Sequence, residues 1–395
     1  MKVAVIHNTY QQPGGEDVVV AAETRLLQRQ GHAVVSYQRS NDDLRRMSKR
    51  RQLWAVKDLV HSLDSKREIR ELLRREKPDI VHVHNTFMVI SPSVYEACQD
   101  EGIAVLQTLH NYRLLCPAWS FSRDGRVCEE CLDDSLWSGI RHACYRNSHA
   151  MTAAIALMLK FHRMRGTWQE TVNGYVALTE FARCKFIQGG LPAHKIHVKP
   201  NFLGSDPGAK REVGSGGLFV GRLSPEKGVN ILLAAWARLK RPLPLVIIGD
   251  GPLRETLEKE IVSRRLSNVT LRGWLPREHT VAAMKSAAFL VTPSIWYEGF
   301  PMTMVEAFAC GTPVICSRLG GMQEIVKDQC TGLHFTPADS ADLAAKVESV
   351  GAQPEQLFLM GRAARQEYEE LYTPEKNYSA LMRIYQQTIA RCSRQ

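Results

Sequence analysis

Two doubly wound α/β domains, each a parallel sheet covered by helices on both faces, form the architecture this sequence predicts. Three observations predict it. Short β-rich runs alternate with helical ones along the chain, the pattern of repeated βαβ units. The chain has 395 residues, too many for one ordinary core. Near its middle, LGSDPGAKREVGSGG interrupts the alternation with glycine and polar residues and reads as a linker. The expected division is a first domain over 1–203, a linker over 204–217 and a second domain over 218–372. A final helix over 373–395 is expected to pack back towards the first domain.

Each element follows from local pattern. KVAVIH (Lys2–His7) reads as a buried first strand. The loop PGGED leads from it to a helix over Val18–Gln30, with Gly31 as its stop. Strands are then expected at HAVVSY, DIVHVH and IAVLQTLH, and in the second half at GLFVGRL, LPLVIIGDG, VTLRGW, AAFLVTPS and TPVICS. Polar residues follow Met1–His7 at once, so this run is not read as a signal peptide. The longest apolar stretch, MTAAIALML, is far shorter than the roughly 20 residues a spanning helix needs. Hydrophobic content of 44% and charged content of 23% fit a soluble globular enzyme. Ten cysteines without an export signal point to a reducing cytoplasmic compartment.

The net charge of +10 is uneven: Arg45 to Lys77 holds twelve Lys/Arg and five Asp/Glu. Such a surplus fits a negatively charged partner, whether anionic lipid, nucleic acid or a phosphorylated substrate. Leu44, Met47, Leu53, Trp54 and Val56 alternate with Arg45, Arg46, Lys49, Arg50 and Arg51. A basic, partly apolar segment of this kind suits the surface of an anionic membrane, and a solvated helix face is the alternative. No nucleic-acid module is legible, and the patch lacks interleaved aromatics beyond Trp54, so nucleic acid is not expected as a partner.

Ligands of doubly wound sheets bind at the carboxyl ends of the strands, so residues just after β-rich runs are the site candidates. There is no G-x-G-x-x-G after the first strand, no G-x-x-x-x-G-K-[ST], no H-E-x-x-H and no G-x-S-x-G. That argues against dehydrogenase, P-loop, zinc-protease and serine-hydrolase chemistry. EGFPMTMVEA (Glu298–Ala307) instead follows a strand and opens a helix near Pro301. Glu298 stands at that helix mouth, where the N–H groups of Gly299 and Phe300 and the helix dipole favour an anion. Glu306 lies roughly one and a half turns into that helix. Arg222 and Lys227 in VGRLSPEKG follow the first strand of the second half, and two cations at a helix start favour a phosphate group. A diphosphate there would be neutralised without a catalytic metal.

The combination GRLSPEKG, IIGDGP, LRGWLP, PSIWYEGFPMTMVEAFACGTPVI and GGMQEIV resembles the retaining glycosyltransferases of family 4, of bacterial polysaccharide type. PGGED, DIVHVHN and LHN extend the resemblance to the first half. It implies the GT-B fold, two Rossmann-like domains facing a central cleft. It further implies a nucleotide-diphosphate sugar as donor and a glycan or lipid-linked glycan as acceptor, in a peripheral enzyme at the cytoplasmic leaflet. By resemblance Glu298 and His110 are the catalytic residues. Glu298, with the backbone of Gly299, Phe300 and Pro301, holds hydroxyls of the donor sugar. Glu306 holds the ribose, and Arg222 and Lys227 grip the diphosphate. Gly249, Gly251 and Trp274 line the base pocket, and Gly14 and Gly15 let a loop approach the phosphates. His7, His82 and His84 are expected to be structural. Another GT-B enzyme, such as a phosphorylase or a sugar-nucleotide epimerase, is the rival reading.

Cys116, Cys128, Cys131 and Cys144 follow the spacing C-x11-C-x2-C-x12-C. The spacing resembles a structural zinc site, with unlinked cytosolic thiols as the alternative.

Overall fold

The computed structural model describes residues 1–9, 14–41, 57–133 and 135–393. The basic segment from Leu44 to Val56 lies outside them. The chain divides into two compact units. The first comprises Met1–Phe121, Cys128–Gly204 and Pro374–Gln395, and the second Ser122–Val127 and Ser205–Thr373.

The sheet of the first unit contains β1 (Lys2–Thr9), β2 (Ala33–Ser40), β3 (Ile80–Asn85) and β4 (Val105–Leu109). A short hairpin, β5 (Ser122–Arg123) with β6 (Arg126–Val127), interrupts the order, and β7 (Gly174–Ala177) and β8 (Ile196–Val198) complete the sheet. Its strand order is β2-β1-β3-β4-β7-β8, parallel throughout. Residues Val3 to Asn8 of β1 are all buried, as a central strand covered on both faces requires. Helix Gly15–Arg29 returns from β1 to β2, with Val19, Val20, Glu23, Leu26 and Leu27 as its buried stripe. Helix Pro374–Cys392 also belongs to this unit, and the Tyr385 hydroxyl lies 2.8 Å from His82 Nδ1 on β3.

The second unit repeats the design with β9 (Gly217–Val220), β10 (Leu245–Ile248), β11 (Val269–Gly273), β12 (Phe289–Thr292), β13 (Val314–Ser317) and β14 (Gly332–Phe335). The order is β11-β10-β9-β12-β13-β14, again parallel. Phe219, Leu233, Trp236, Ile247, Phe289, Val291 and Ile315 belong to its core. The chain winds outward from β9 to β11 and then returns to β12 on the other side of β9. This makes the β9/β12 boundary the topological switch point, where loops diverge and leave a crevice. In the first unit the same reversal falls between β1 and β3.

Candidate active site

The loops after β9 and β12 flank the switch point of the second unit, and they carry Arg222, Lys227 and Glu298. They are stitched together by the Ile295 amide, which donates to the Glu226 carbonyl at 3.0 Å. Gly228, at φ +69°, lies so near Pro293 that an added Cβ would stand 1.9 Å from its carbonyl oxygen. Only glycine meets both demands.

Within this frame the Lys227 ammonium donates to Glu298 Oε1 at 2.7 Å, and the Ser294 hydroxyl donates to the same oxygen at 2.6 Å. The Lys227 ammonium also lies 5.5 Å from the centre of the Trp296 ring. Glu298 is 5% exposed. Burial pushes its carboxyl up, but Lys227 and the hydrogen bonds outweigh burial and hold it below the usual carboxylate range. Glu298 is therefore a pre-ionised acceptor with one oxygen committed to the protein. Sequence reading treated Lys227 and Glu298 separately; their direct pairing is a tertiary fact.

Helix Met302–Ala309 begins one residue after Pro301. Phe300 packs edge-on to Tyr372 with ring centres 6.1 Å apart, which anchors the turn between Glu298 and the helix. Glu306, half-buried on that helix, behaves oppositely to Glu298: burial raises its pKa and Arg277 only partly offsets this. Arg222 is exposed.

The ends of β9, β10 and β11 meet beside this loop pair. The Gly221 amide donates to the Ile248 carbonyl at 3.0 Å, and the Gly249 amide to the Gly273 carbonyl at 2.8 Å. Gly249 has φ +141°, and an added Cβ would stand 1.8 Å from the Gly221 oxygen. At Gly251 it would stand 2.5 Å from the Leu223 oxygen. Gly249→Ala is expected to destabilise the chain by more than about 3 kcal/mol, read as a fall in the urea unfolding midpoint. Trp274, just beyond β11, is 72% exposed, so its indole offers a free apolar face.

In the first unit Gly14 caps helix Gly15–Arg29, and its amide donates to Asp17 Oδ2 at 2.8 Å. A Cβ at Gly14 or Gly15 would meet nothing within 4 Å, so the described chain does not itself demand glycine at either position. His110 follows β4 and its Nε2 lies 3.0 Å from His84 Nδ1. Behind them His7, His82, His84, Glu23 and Lys199 are buried. Sequence reading missed Glu23 and Lys199, although a glutamate on the apolar stripe of a helix was a visible signal.

Cys116 and Cys131 are buried, and Cys128 and Cys144 half-buried. The Cys131 thiol is pushed up to about 12 by burial and by the neighbouring Cys116, Cys144 and Cys128, against a backbone hydrogen bond from Gly139. The four cysteines thus share one neighbourhood. Among the described residues, however, the metal-ligand side chains whose donor atoms all lie within 4.8 Å of one another are Glu23, His82 and His84.

Residues 13–204 match the family described as Glycosyltransferase Family 4, and residues 217–367 the family described as Glycosyl transferases group 1. An uncharacterised glycosyltransferase of Methanocaldococcus jannaschii is 34% identical over 171 residues, covering 43% of this chain and 48% of the relative. The O-antigen chain mannosyltransferase C of Escherichia coli is 32% identical over 170 residues, covering 42% of this chain and 45% of the relative. These matches span less than half the length of each relative. Sucrose-phosphate synthase from Thermosynechococcus elongatus superposes with a TM-score of 0.72 at 18% identity, over 98% of this chain and 99% of that one. Anabaena HepE in complex with UDP superposes with a TM-score of 0.66 at 16% identity, over 97% and 99%. Two family matches in tandem, on two parallel sheets of Rossmann type, place the chain among the GT-B glycosyltransferases.

Proposed function

We propose that the chain is a retaining, metal-independent hexosyltransferase. It moves a sugar from a nucleotide-diphosphate sugar to a hydroxyl of a glycan or lipid-linked glycan, in cell-surface polysaccharide synthesis. The observation that carries this reading is the pre-ionised Glu298 held by Lys227 and Ser294 at the switch point, one turn before an open helix N-terminus. The UDP bound by HepE supports a nucleoside diphosphate as the donor's leaving group, and the O-antigen transferase supports a polysaccharide context.

Breaking the sugar–phosphate bond develops positive charge on the anomeric carbon and negative charge on the diphosphate. Arg222, Lys227 and the N–H groups at the start of helix Met302–Ala309 would stabilise the leaving diphosphate. Glu298, with the Gly299–Pro301 backbone, would hold hydroxyls of the transferred sugar. Glu306 would accept from the ribose, and Gly249, Gly251 and Trp274 would border the base. Gly14 and Gly15 are assigned to the phosphates, and His110 to a sugar or acceptor hydroxyl. Retention follows if the acceptor attacks from the face the leaving group vacates, with the phosphate taking its proton. With Arg222, Lys227 and the helix start assigned the charge of the diphosphate, turnover should persist in EDTA. Strict, rapidly reversible dependence on magnesium would contradict this. Glu306→Ala should mainly raise the donor KM, since its contact would be equal in ground and transition states.

The acceptor side is proposed to meet the cytoplasmic face of a membrane through residues 44–56. No helix among the described residues is long and apolar enough to cross a membrane. Changing Arg45, Arg46, Arg50 and Arg51 to Glu should release the protein from anionic vesicles while leaving nucleotide affinity intact; unchanged vesicle binding would favour a freely diffusing acceptor. For the cysteine segment we retain structural zinc as the proposal. Metal analysis should find zinc in the purified protein and lose it in Cys131→Ser. Binding would have to draw the thiols together, since thiolates sharing a tetrahedral zinc sit about 2.3 Å from it.

A further inference from the structure

We propose that Glu23, acting through His84, holds His110 in the tautomer that carries its proton on Nε2, so that Nδ1 offers a bare lone pair to a ligand hydroxyl. The identity of that ligand rests on the transferase reading; the tautomer does not.

The topology of the first unit assembles the chain of groups. His82 and His84 are two residues apart on β3 and so share one face. Helix Gly15–Arg29 sets Glu23 against that face. The Lys199 ammonium donates to Glu23 Oε2 at 3.0 Å. The other oxygen, Oε1, is buried without a well-aligned donor. Two ring nitrogens face it, His82 Nδ1 at 3.2 Å and His84 Nε2 at 3.7 Å. Burial pushes the Glu23 carboxyl up, but the buried Lys199 ammonium, through its charge and its hydrogen bond, holds it below the usual carboxylate range, so Glu23 is ionised. A buried carboxylate oxygen is stabilised by facing N–H groups and repelled by facing lone pairs. Both nitrogens therefore carry hydrogens.

The rest is proton accounting. His82 is complete: its Nδ1 faces Glu23 and the Tyr385 hydroxyl, and the Thr108 hydroxyl, 2.8 Å from Nε2, supplies the other proton. With both His82 nitrogens engaged by Tyr385 and Thr108 and an ammonium already on Glu23, the Glu23–His82–His84 group is read as a buried polar cluster and not as a cation site. Burial keeps His84 neutral, so its single proton is on Nε2 and its Nδ1 must accept. The partner at 3.0 Å is His110 Nε2, which must donate. Burial also keeps His110 neutral, pushing it down to about 3. Its Nδ1 is left without a proton. Of these rings only His110 is partly exposed. It thus accepts from a hydroxyl and repels a phosphate or carboxylate oxygen, which suits the polyol part of a ligand.

The test is two-bond 15N–1H correlation spectroscopy on the full-length chain labelled at histidine, with His110 assigned by its loss in His110→Gln. The expected result at neutral pH is a pyrrole-type Nε2 and a pyridine-type Nδ1. A proton on Nδ1, or on both nitrogens, overturns the proposal. His84→Phe removes the acceptor, and His110 should then relax towards a mixture of tautomers. Donor kcat/KM should fall about tenfold, as for other supporting hydrogen bonds behind a site residue, while nucleoside diphosphate affinity stays constant. An unchanged His110 spectrum in folded His84→Phe would also overturn it. If that variant does not fold, the wild-type spectrum decides alone. If wild-type protein turns over no nucleotide sugar, the transferase reading fails while the spectrum still settles the tautomer.

Discussion

Glu298→Gln should lower kcat by about 10²-fold or more and change donor KM little. The expectation follows from what the carboxylate has around it. One oxygen is held by Lys227 and Ser294 at 2.7 and 2.6 Å, which fixes the group in place. A charged acceptor held in place before the reaction stabilises charge as it develops without reorganising. An interaction realised mainly in the transition state appears in kcat and not in KM. Gln keeps the size and one oxygen but removes the charge, so the comparison isolates electrostatics from packing. Steady-state kinetics with a competent donor checks it, and near-normal turnover would remove Glu298 from the catalytic set.

The second large effect is on stability. Lys227→Met should destabilise the chain by about 2–3 kcal/mol near neutral pH, because it strands a buried carboxylate; the lower end reflects the partial exposure of Lys227. The dependence on pH supplies a sign test. In the wild type the Glu298 pKa is lowered, so the group contributes stability that is present above the unfolded carboxylate pKa and lost as pH falls through its folded value. Without Lys227, burial dominates and the folded pKa rises above the unfolded one. The group then stabilises nothing, and stability falls as pH rises from the unfolded carboxylate pKa through the folded value. Urea melts of both proteins across the acid range should show this group's contribution change in opposite directions. Parallel profiles would mean that Lys227 is not the partner that keeps Glu298 ionised.

These residues show what a linear reading reaches. Strand-to-helix alternation is local, so the doubly wound class and most strands were legible, as was the position of Glu298 and Glu306 around a helix start. Strands β7, β8 and β14 were not read: GYVA, IHV and GLHF mix apolar residues with glycine or histidine and do not stand out, whereas the equally short β9, β10, β12 and β13 lie in more continuous apolar runs. The β5/β6 hairpin lay within the cysteine segment. Lys227 and Glu298 are 71 residues apart, and nothing local announces that one will neutralise the other. The histidines were visible as types at strand ends, yet their order of donors and acceptors depends on Glu23 and Lys199, 176 residues apart. Gly14 and Gly15 are the converse case. Their motif suggested a backbone that only glycine permits, but the described structure leaves open space beside both.

The central claim is that the second unit binds a nucleoside-diphosphate sugar through Arg222, Lys227, Glu298 and Glu306 without a metal. The most direct measurement is a thermal-shift panel of nucleotide sugars in EDTA, run on wild type and on Arg222→Ala. A ligand at 100 times its dissociation constant adds about 2.7 kcal/mol of stability, enough to move the transition clearly. The account predicts a shift for at least one nucleotide sugar and its free nucleoside diphosphate, and a smaller shift for both in Arg222→Ala. Absence of any shift across the panel, or a shift that Arg222→Ala leaves intact, would contradict it.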